Sequence, residues 1–303
     1  MSAGSVLVVM SCMGEACAEP AWPSRPRSGR VDCGGGAPLL IRSPLRAGST
    51  MTATELSAVD EAIRDCAALY GVSPAIHPED HIYNFVIQHP SFTTDAARVK
   101  YYFRDGAHSA RTLCHIVGQH LPGRARMDLL EFACGYGCVS RHLVKMDRFD
   151  MDCCDIHEQA MDFLRDRIGA RPVLSSPAPE ALELPRSYDV AFALSFFSHM
   201  PRQSWGRWLA RLSRAVRPGG ILIFTTQGMP SRMHFGYPDI PESGFWFQPT
   251  SEQIDLSTAE YGQTIVMPSF VKAEIAAIPG LELLDLDEGY WWGHQDLYVV
   301  RRL

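Results

Sequence analysis

The sequence predicts an α/β fold built on a mostly parallel, doubly wound sheet. Three observations indicate this fold: short apolar runs recur along residues 129–225, segments with helical apolar spacing separate them, and a glycine turn follows the first run. Continuous apolar runs are typical of parallel strands that are buried on both faces. With 303 residues, 46% of them apolar, the chain can form one large α/β domain or two small ones.

The first apolar run, residues 129–132, leads directly into the glycine turn. Glu131 lies near the end of this run, Gly135 and Gly137 form the turn, and apolar residues at helical spacing follow from Val139. Glycine permits positive φ and allows backbone N–H groups to approach a ligand closely. A strand, a glycine turn and a helix N-terminus in this order indicate a nucleoside cofactor bound at the carboxyl end of the sheet.

Further strand and helix units follow this first one. Residues 148–156 predict a second strand that ends in Asp155, 18 residues beyond Gly137, and residues 172–175 and 188–194 predict the third and fourth strands. Ser195 follows the fourth strand. A helix over residues 203–216 ends at Arg217-Pro-Gly-Gly220, and residues 221–225 predict a fifth strand.

These segments resemble the class I S-adenosylmethionine (SAM)-dependent methyltransferases. Residues 131–137, Glu-Phe-Ala-Cys-Gly-Tyr-Gly, resemble the first family motif, an acidic residue followed by x-G-x-G-x-G, with Ala133 in place of the first glycine. Asp155 matches the acidic end of the second motif, and Arg217-Pro-Gly-Gly220 resembles the third. The resemblance implies a Rossmann-like, seven-stranded sheet that closes with a C-terminal antiparallel hairpin, here predicted over residues 281–286 and 297–301.

The resemblance also implies SAM as the cofactor and methyl transfer as the activity. Asp155 would bind the ribose hydroxyls, because an ionised carboxylate offers two acceptor oxygens, and Glu131 would lie under the glycine turn. His199, after the fourth strand, is the candidate general base, because imidazole exchanges a proton near neutral pH; a structural histidine is the alternative. The other candidate cofactor-binding residues are Ala133, Cys134, Gly135, Tyr136, Gly137, Ile156 and Ser195. No metal is expected, because the sequence has no CxxC pair.

Composition divides the chain into three regions. Residues 1–50 are rich in glycine and proline, without periodicity, and predict a disordered leader or an over-long start before Met51. Residues 51–125 predict a helical cap region, with irregular structure over 72–92 and separate helices over 96–103 and 109–121. The aromatics Tyr101, Tyr102 and Phe103 would form either a lid over SAM or part of the core. Residues 126–303 predict the SAM-binding domain, with a lid insertion at about 227–265.

The net charge and the absence of certain motifs limit the classes of partner and methyl acceptor that are expected. A net charge of −6 argues against nucleic acid as the partner, and no apolar run is long enough for a membrane span. The cysteine pattern suits reduced thiols and predicts a cytoplasmic protein. Neither (Asp/Asn)-Pro-Pro-Tyr nor Pro-Cys follows the fourth strand, which favours a small-molecule acceptor, with O-methylation slightly preferred. No oligomeric state is predicted.

Two other functions are compatible with the motifs. A SAM-binding regulator without catalysis would share the same fold. An NAD(P)-dependent oxidoreductase would also use a glycine turn followed by an acid, but its fingerprint requires a third glycine where this chain has Ser140. Binding of SAM or of NAD distinguishes these cofactor classes directly.

Overall fold

A computed structural model describes residues 53–89, 91–250 and 256–303, so the predicted leader over residues 1–50 lies outside the described residues. The helices within these ranges are α1 (Ala53–Tyr70), α2 (His81–Gln88), α3 (Asp95–His120), α4 (Ser140–Leu143), α5 (Glu158–Phe163, continued by the π turn Leu164–Ile168), α6 (Arg202–Ala215) and α7 (Pro268–Ala276), with 3₁₀ turns at Pro179–Ala181 and Met229–Phe235. None of the described helices is long and apolar enough to cross a membrane.

The described strands form one mixed sheet. They are β1 (Met127–Phe132), β2 (Phe149–Asp155), β3 (Arg171–Leu174), β4 (Tyr188–Ala193), β5 (Val216–Gln227), β6 (Phe245–Gln248), β7 (Gln263–Val266), β8 (Leu281–Trp291) and β9 (Gln295–Arg302). The central order is β3-β2-β1-β4-β5-β9-β8, in which β1 to β5 are parallel and β8 and β9 form an antiparallel pair. The predicted fold class, with its C-terminal hairpin, is confirmed.

The insertion adds two short strands to the seven predicted ones. β7 lies parallel to the end of β5, where Ile265 pairs with Gln227, and β6 pairs antiparallel with β7. The insertion therefore extends the sheet at its carboxyl end, beyond the point where β4 stops.

Two hydrophobic cores lie on opposite faces of the sheet. Leu129, Val190 and Ile223 pack on the face that α3, α4 and α5 cover, whereas Leu130 and Leu222 pack on the face that α6 and α7 cover. Because adjacent residues in a strand point to opposite faces, burial of both faces requires continuous apolar runs. These continuous apolar runs are the feature of the sequence that predicted the strands.

Helix α3 corrects the prediction of two helices over residues 96–121. The Asp105-Gly106 pair, which suggested a break, lies inside one continuous helix of 26 residues. A β-carbon on Gly106 would approach the Cys138 carbonyl oxygen to 2.1 Å. Glycine therefore permits close contact between α3 and the segment after the glycine turn, rather than ending the helix.

The region over residues 72–92 is also more ordered than predicted. Helix α2 begins after Asp80, whose Oδ1 accepts a hydrogen bond from the Tyr83 backbone N–H at 2.9 Å. This side-chain cap satisfies one of the N–H groups that a helix start leaves without a partner. α2 has only eight residues and lies among prolines, so the spacing of its apolar residues is too short to indicate a helix in the sequence.

An ionic network ties together the amino ends of the strands, opposite the glycine turn. Arg186 donates to Asp128 at 2.6 Å, to Asp150 at 3.0 Å and to Asp152 at 2.7 Å. Hydrogen bonds from Arg171 and then from Arg186 lower the pKa of Asp150. These contacts join the starts of β1 and β2 and leave the carboxyl ends of the strands to form the site.

Candidate cofactor and acceptor site

The glycine turn lies between β1 and α4 and has an unusual backbone. Ala133, Gly135 and Gly137 all have positive φ, at 57°, 54° and 81°. A β-carbon on Gly137 would come within 2.6 Å of Leu164 Cδ2, so any other residue would displace the end of this side chain as well as strain the backbone. Ala133, which stands where the family motif has glycine, adopts the left-handed conformation despite its β-carbon.

Substituting Ala133→Gly is therefore expected to stabilise the protein by about 0.5–1 kcal/mol. Relief of the left-handed penalty exceeds the entropy that glycine adds to the unfolded chain. The free energy of unfolding from urea titration tests this. Ala193→Gly, at the end of β4, is the matched control and is expected to destabilise, because glycine weakens an ordinary strand. A lower free energy of unfolding in Ala133→Gly than in wild type would show that the left-handed conformation of Ala133 does not strain the fold.

Glu131 lies buried beneath the turn. Its Oε2 accepts a hydrogen bond from the Ser140 hydroxyl at 2.6 Å, which connects the end of β1 to the start of α4. Burial raises the pKa of Glu131 to about 7, and the nearby charge of Asp155 contributes in the same direction. This carboxyl group therefore titrates near neutral pH, just below the segment predicted to hold the cofactor.

Asp155, at the end of β2, is bonded to the turn itself. Its Oδ2 accepts the Gly135 backbone N–H at 2.7 Å, and its Oδ1 accepts the His157 backbone N–H at 3.2 Å and lies 2.7 Å from His157 Nδ1. The Cys134 N–H donates to the Cys154 carbonyl at 3.2 Å, and Ile156 is half-buried just beyond the strand. The two predicted halves of the cofactor site are thus in direct contact.

The segment between α1 and α2 covers the glycine turn. The His77 ring stacks on Tyr136 with ring centroids 4.5 Å apart, and the Tyr136 hydroxyl donates to Glu79 Oε2 at 3.4 Å. His81 approaches His157 with ring centroids 5.2 Å apart. Of these residues, the sequence predicted only Tyr136 as part of the site, whereas the places of His77, Glu79, His81 and His157 depend on tertiary contacts.

The aromatics that were considered for the lid role pack elsewhere. Tyr101, Tyr102 and Phe103 are buried in the hydrophobic core that α3 forms with α1. Of the two predicted alternatives, the structure favours the core.

Arg141 fastens the covering segment to the turn. Its fully buried guanidinium donates to the Gly137 carbonyl at 3.1 Å, to the Ser73 carbonyl at 3.1 Å and to the Ala75 carbonyl at 3.0 Å. It also donates to the Tyr102 hydroxyl at 3.0 Å. A buried arginine with four acceptors is a strong organising contact, and an isolated arginine in the sequence carries no signal of it.

Ser195 lies at the carboxyl end of β4 and also has positive φ, at 59°. Its N–H donates to Thr225 Oγ1 at 2.8 Å, and its hydroxyl accepts from Gln295 Nε2 at 2.8 Å. The Thr225 hydroxyl donates to Gln295 Oε1 at 2.6 Å. A strained non-glycine residue held by such a network indicates a functional position. β9 thereby contributes directly to this region.

His199 is held by the insertion. Its Nδ1 lies 2.8 Å from the Gly262 carbonyl, which can only accept, so this nitrogen carries the proton. The Gly262 N–H donates back to the His199 carbonyl at 2.9 Å, and the ring stacks on Tyr261 with centroids 4.4 Å apart. His199 therefore joins the turn after β4 to the strand β7 region, and only Nε2 could act as a base.

Residues 130–222, which span β1 to the middle of β5, match the family model described as "Methyltransferase domain". The chain therefore contains a methyltransferase domain over residues 130–222. A search of curated proteins found no match.

Several solved structures are similar to this chain at low sequence identity. CalS10, described as a SAM-bound amino pentose methyltransferase from Micromonospora echinaspora, is 18% identical, covers 71% of this chain and 100% of its own, and has a TM-score of 0.50. DesVI from Streptomyces venezuelae is 16% identical, with 67% and 95% covered and a TM-score of 0.49. The glycopeptide N-methyltransferase MtfA is 12% identical, with 65% and 90% covered and a TM-score of 0.47.

The methyltransferase domain thus contains two groups of predicted residues. Glu131, the turn from Ala133 to Gly137, and Asp155 form one hydrogen-bonded group, whereas Ser195 and His199 are tied to β9 and to the insertion. Within the described ranges, no group of three or more His, Cys, Asp or Glu side chains is arranged to hold a metal ion.

Proposed function

We propose that this protein is a SAM-dependent methyltransferase that acts on a small-molecule acceptor. The observation that carries the proposal is the hydrogen bond from the Gly135 N–H to Asp155, because it joins the glycine turn to an acidic strand end. Ribose hydroxyls would donate to Asp155, and backbone from Ala133 to Gly137 would contact the methionine portion. The methyltransferase family match and the SAM-bound description of the structurally similar CalS10 support this cofactor.

Bound SAM, held by Asp155 and by the turn from Ala133 to Gly137, would supply a methyl group that the sulfonium charge activates for transfer to a lone pair of the acceptor. The protein's residues mainly hold the reactants in line and exclude water. Glu131 and Asp155 provide negative charge near a cationic cofactor. Ser195 lines the end of β4, and the covering segment, whose His77 ring stacks on Tyr136, shields the turn from solvent.

Oxygen is the proposed methyl-accepting atom, and His199 Nε2 is the proposed base for it, because Nδ1 is engaged with the Gly262 carbonyl. A cytoplasmic location is proposed from cysteine usage, since Cys66, Cys114, Cys134, Cys138, Cys153 and Cys154 are free thiols in the described part of the chain.

Calorimetry with Asp155→Asn tests the cofactor site. We expect SAM affinity to fall about 10- to 100-fold, since hydrogen bonds to an ionised group contribute about 1.5–3 kcal/mol. Asp162→Asn is the matched control, because Asp162 is an exposed acid on the neighbouring helix α5. Unchanged affinity in Asp155→Asn would refute the assignment.

The same measurement separates the alternatives. Wild-type protein that binds NAD and ignores SAM would be an oxidoreductase instead. SAM binding with no methyl transfer to any member of a broad acceptor panel would favour the regulatory alternative.

A further inference from the structure

Three glutamines meet at the carboxyl end of the sheet, each on a different strand. Gln227 ends β5, Gln263 begins β7 and Gln295 begins β9. Gln227 pairs in register with Gln295 and with Ile265, which is two residues beyond Gln263 and on the same face of β7. All three side chains therefore lie on one face of the sheet, and we refer to them as the glutamine shelf.

The shelf borders the proposed cofactor site. Gln295 Nε2 donates to the Ser195 hydroxyl at 2.8 Å, at the end of the strand beside β1. On the side of β5 that faces β7 rather than β9, Gln227 Nε2 donates to Gln263 Oε1 at 3.4 Å. Amide groups thus run from Ser195 away from the glycine turn.

Gln227 has an unsatisfied hydrogen-bonding atom. Its side chain is 1% exposed, yet its Oε1 has no hydrogen-bond partner. Leaving a buried polar atom unpaired is costly, and such atoms in native proteins require an explanation. A ligand that donates a hydrogen bond to this oxygen provides one.

An aromatic surface continues the shelf on β6. Trp246 pairs with Ile265 and therefore lies on the same face as Gln227 and Gln263. Its ring is half-buried and lies 5.7 Å from the ring of Phe235, measured between centroids. Stacking against an indole suits a flat or ring-shaped ligand with an apolar face.

Resting on the proposed methyltransferase function, we propose that the glutamine shelf and Trp246 bind the acceptor as an uncharged, hydroxyl-rich ring. Amides and hydroxyls both donate and accept, so they match one another, whereas neither Gln227, Gln263, Gln295 nor Ser195 carries a charge to balance an ionic acceptor. The donor to Gln227 Oε1 is a ring hydroxyl. Trp246 stacks on the ring.

Saturation-transfer NMR with the protein saturated by S-adenosylhomocysteine tests the ligand class. The probes are methyl glucopyranoside, the corresponding glucuronide with its carboxylate, and the corresponding methyl glycoside of an amino sugar with its ammonium group. We expect the uncharged glycoside to bind more tightly than either charged probe. Tighter binding of a charged probe, or no binding of the uncharged one, would overturn the proposal.

Gln227→Leu separates a ligand contact from a structural role. We expect probe affinity to fall about 5- to 10-fold, in line with loss of one hydrogen bond, while the melting temperature holds or rises because an unpaired buried oxygen is removed. Gln203→Leu, at an exposed glutamine on α6, is the control and should change neither quantity. A lower melting temperature with unchanged probe affinity would show that Gln227 is structural.

The cofactor measurement keeps the two proposals apart. S-adenosylhomocysteine affinity is measured by calorimetry in wild type and in Gln227→Leu before any probe is added. If wild type fails to bind, the methyltransferase proposal fails. If wild type binds but Gln227→Leu loses cofactor and probe affinity together, the shelf acts through the cofactor site and the acceptor proposal is overturned.

Discussion

Arg141→Met is expected to lower the free energy of unfolding by about 3–5 kcal/mol. Methionine keeps much of the apolar packing but removes a buried cation, and such a loss of one partner in a buried polar network has about this cost. The carbonyls of Ser73, Ala75 and Gly137 would lose their donor. Asp80, whose Oδ2 accepts from the Tyr102 hydroxyl at 2.6 Å, would lose a compensating positive charge.

Urea denaturation and limited proteolysis measure the two parts of this effect. We expect cleavage to appear first between α1 and α2, because that segment loses its attachment, and SAM affinity to fall with it. Arg165→Met, at an exposed arginine after α5, should change neither property. Stability of Arg141→Met within about 1 kcal/mol of wild type would show that the segment is held by packing alone.

Glu131→Gln is expected to raise stability by about 3 kcal/mol at pH 8 and by less than about 1 kcal/mol at pH 5. The folded pKa of Glu131 is raised to about 7 from an ordinary value of 4.5, because the carboxyl group is buried. An acid shifted upward destabilises the fold as pH rises above 4.5, and the penalty is complete above pH 7. Glutamine, which resembles the protonated acid, avoids it.

Guanidinium denaturation of wild type and Glu131→Gln across pH 5 to 8 tests this sign. Glu183→Gln, at an exposed glutamate, should show the wild-type pH dependence. Parallel stability profiles for wild type and Glu131→Gln would contradict the raised pKa. We expect the gain in stability to be accompanied by weaker SAM binding, because the ionised carboxylate favours a cationic cofactor.

Local signals explain why most of the fold was predictable. The apolar runs of β1, β2, β4 and β5 reflect burial on both faces, and positive φ in the glycine turn is encoded in adjacent residues. Gly106 led to the wrong prediction of a helix break, because glycine in a sequence often ends a helix. Here glycine instead leaves space for the Cys138 carbonyl, 32 positions later in the chain. That contact exists only after folding.

The same distinction applies to the site. Glu131 and Asp155 belong to short motifs and could be selected from the sequence. Arg141 and Gln227 could not, because their partners lie on other elements and nothing in their immediate neighbours marks them. Sequence position suggested a base at His199, but its bond to Gly262 depends on how the insertion folds.

The hairpin of β8 and β9 has a consequence for synthesis of the protein. β9 covers one edge of β5 over seven paired positions, and its first residue, Gln295, bonds to Ser195, 100 residues earlier. While the chain is being translated, β5 therefore presents an open apolar edge of the kind that promotes association between chains. A chain that lacks β9 keeps this edge exposed, so we expect it to associate with other chains.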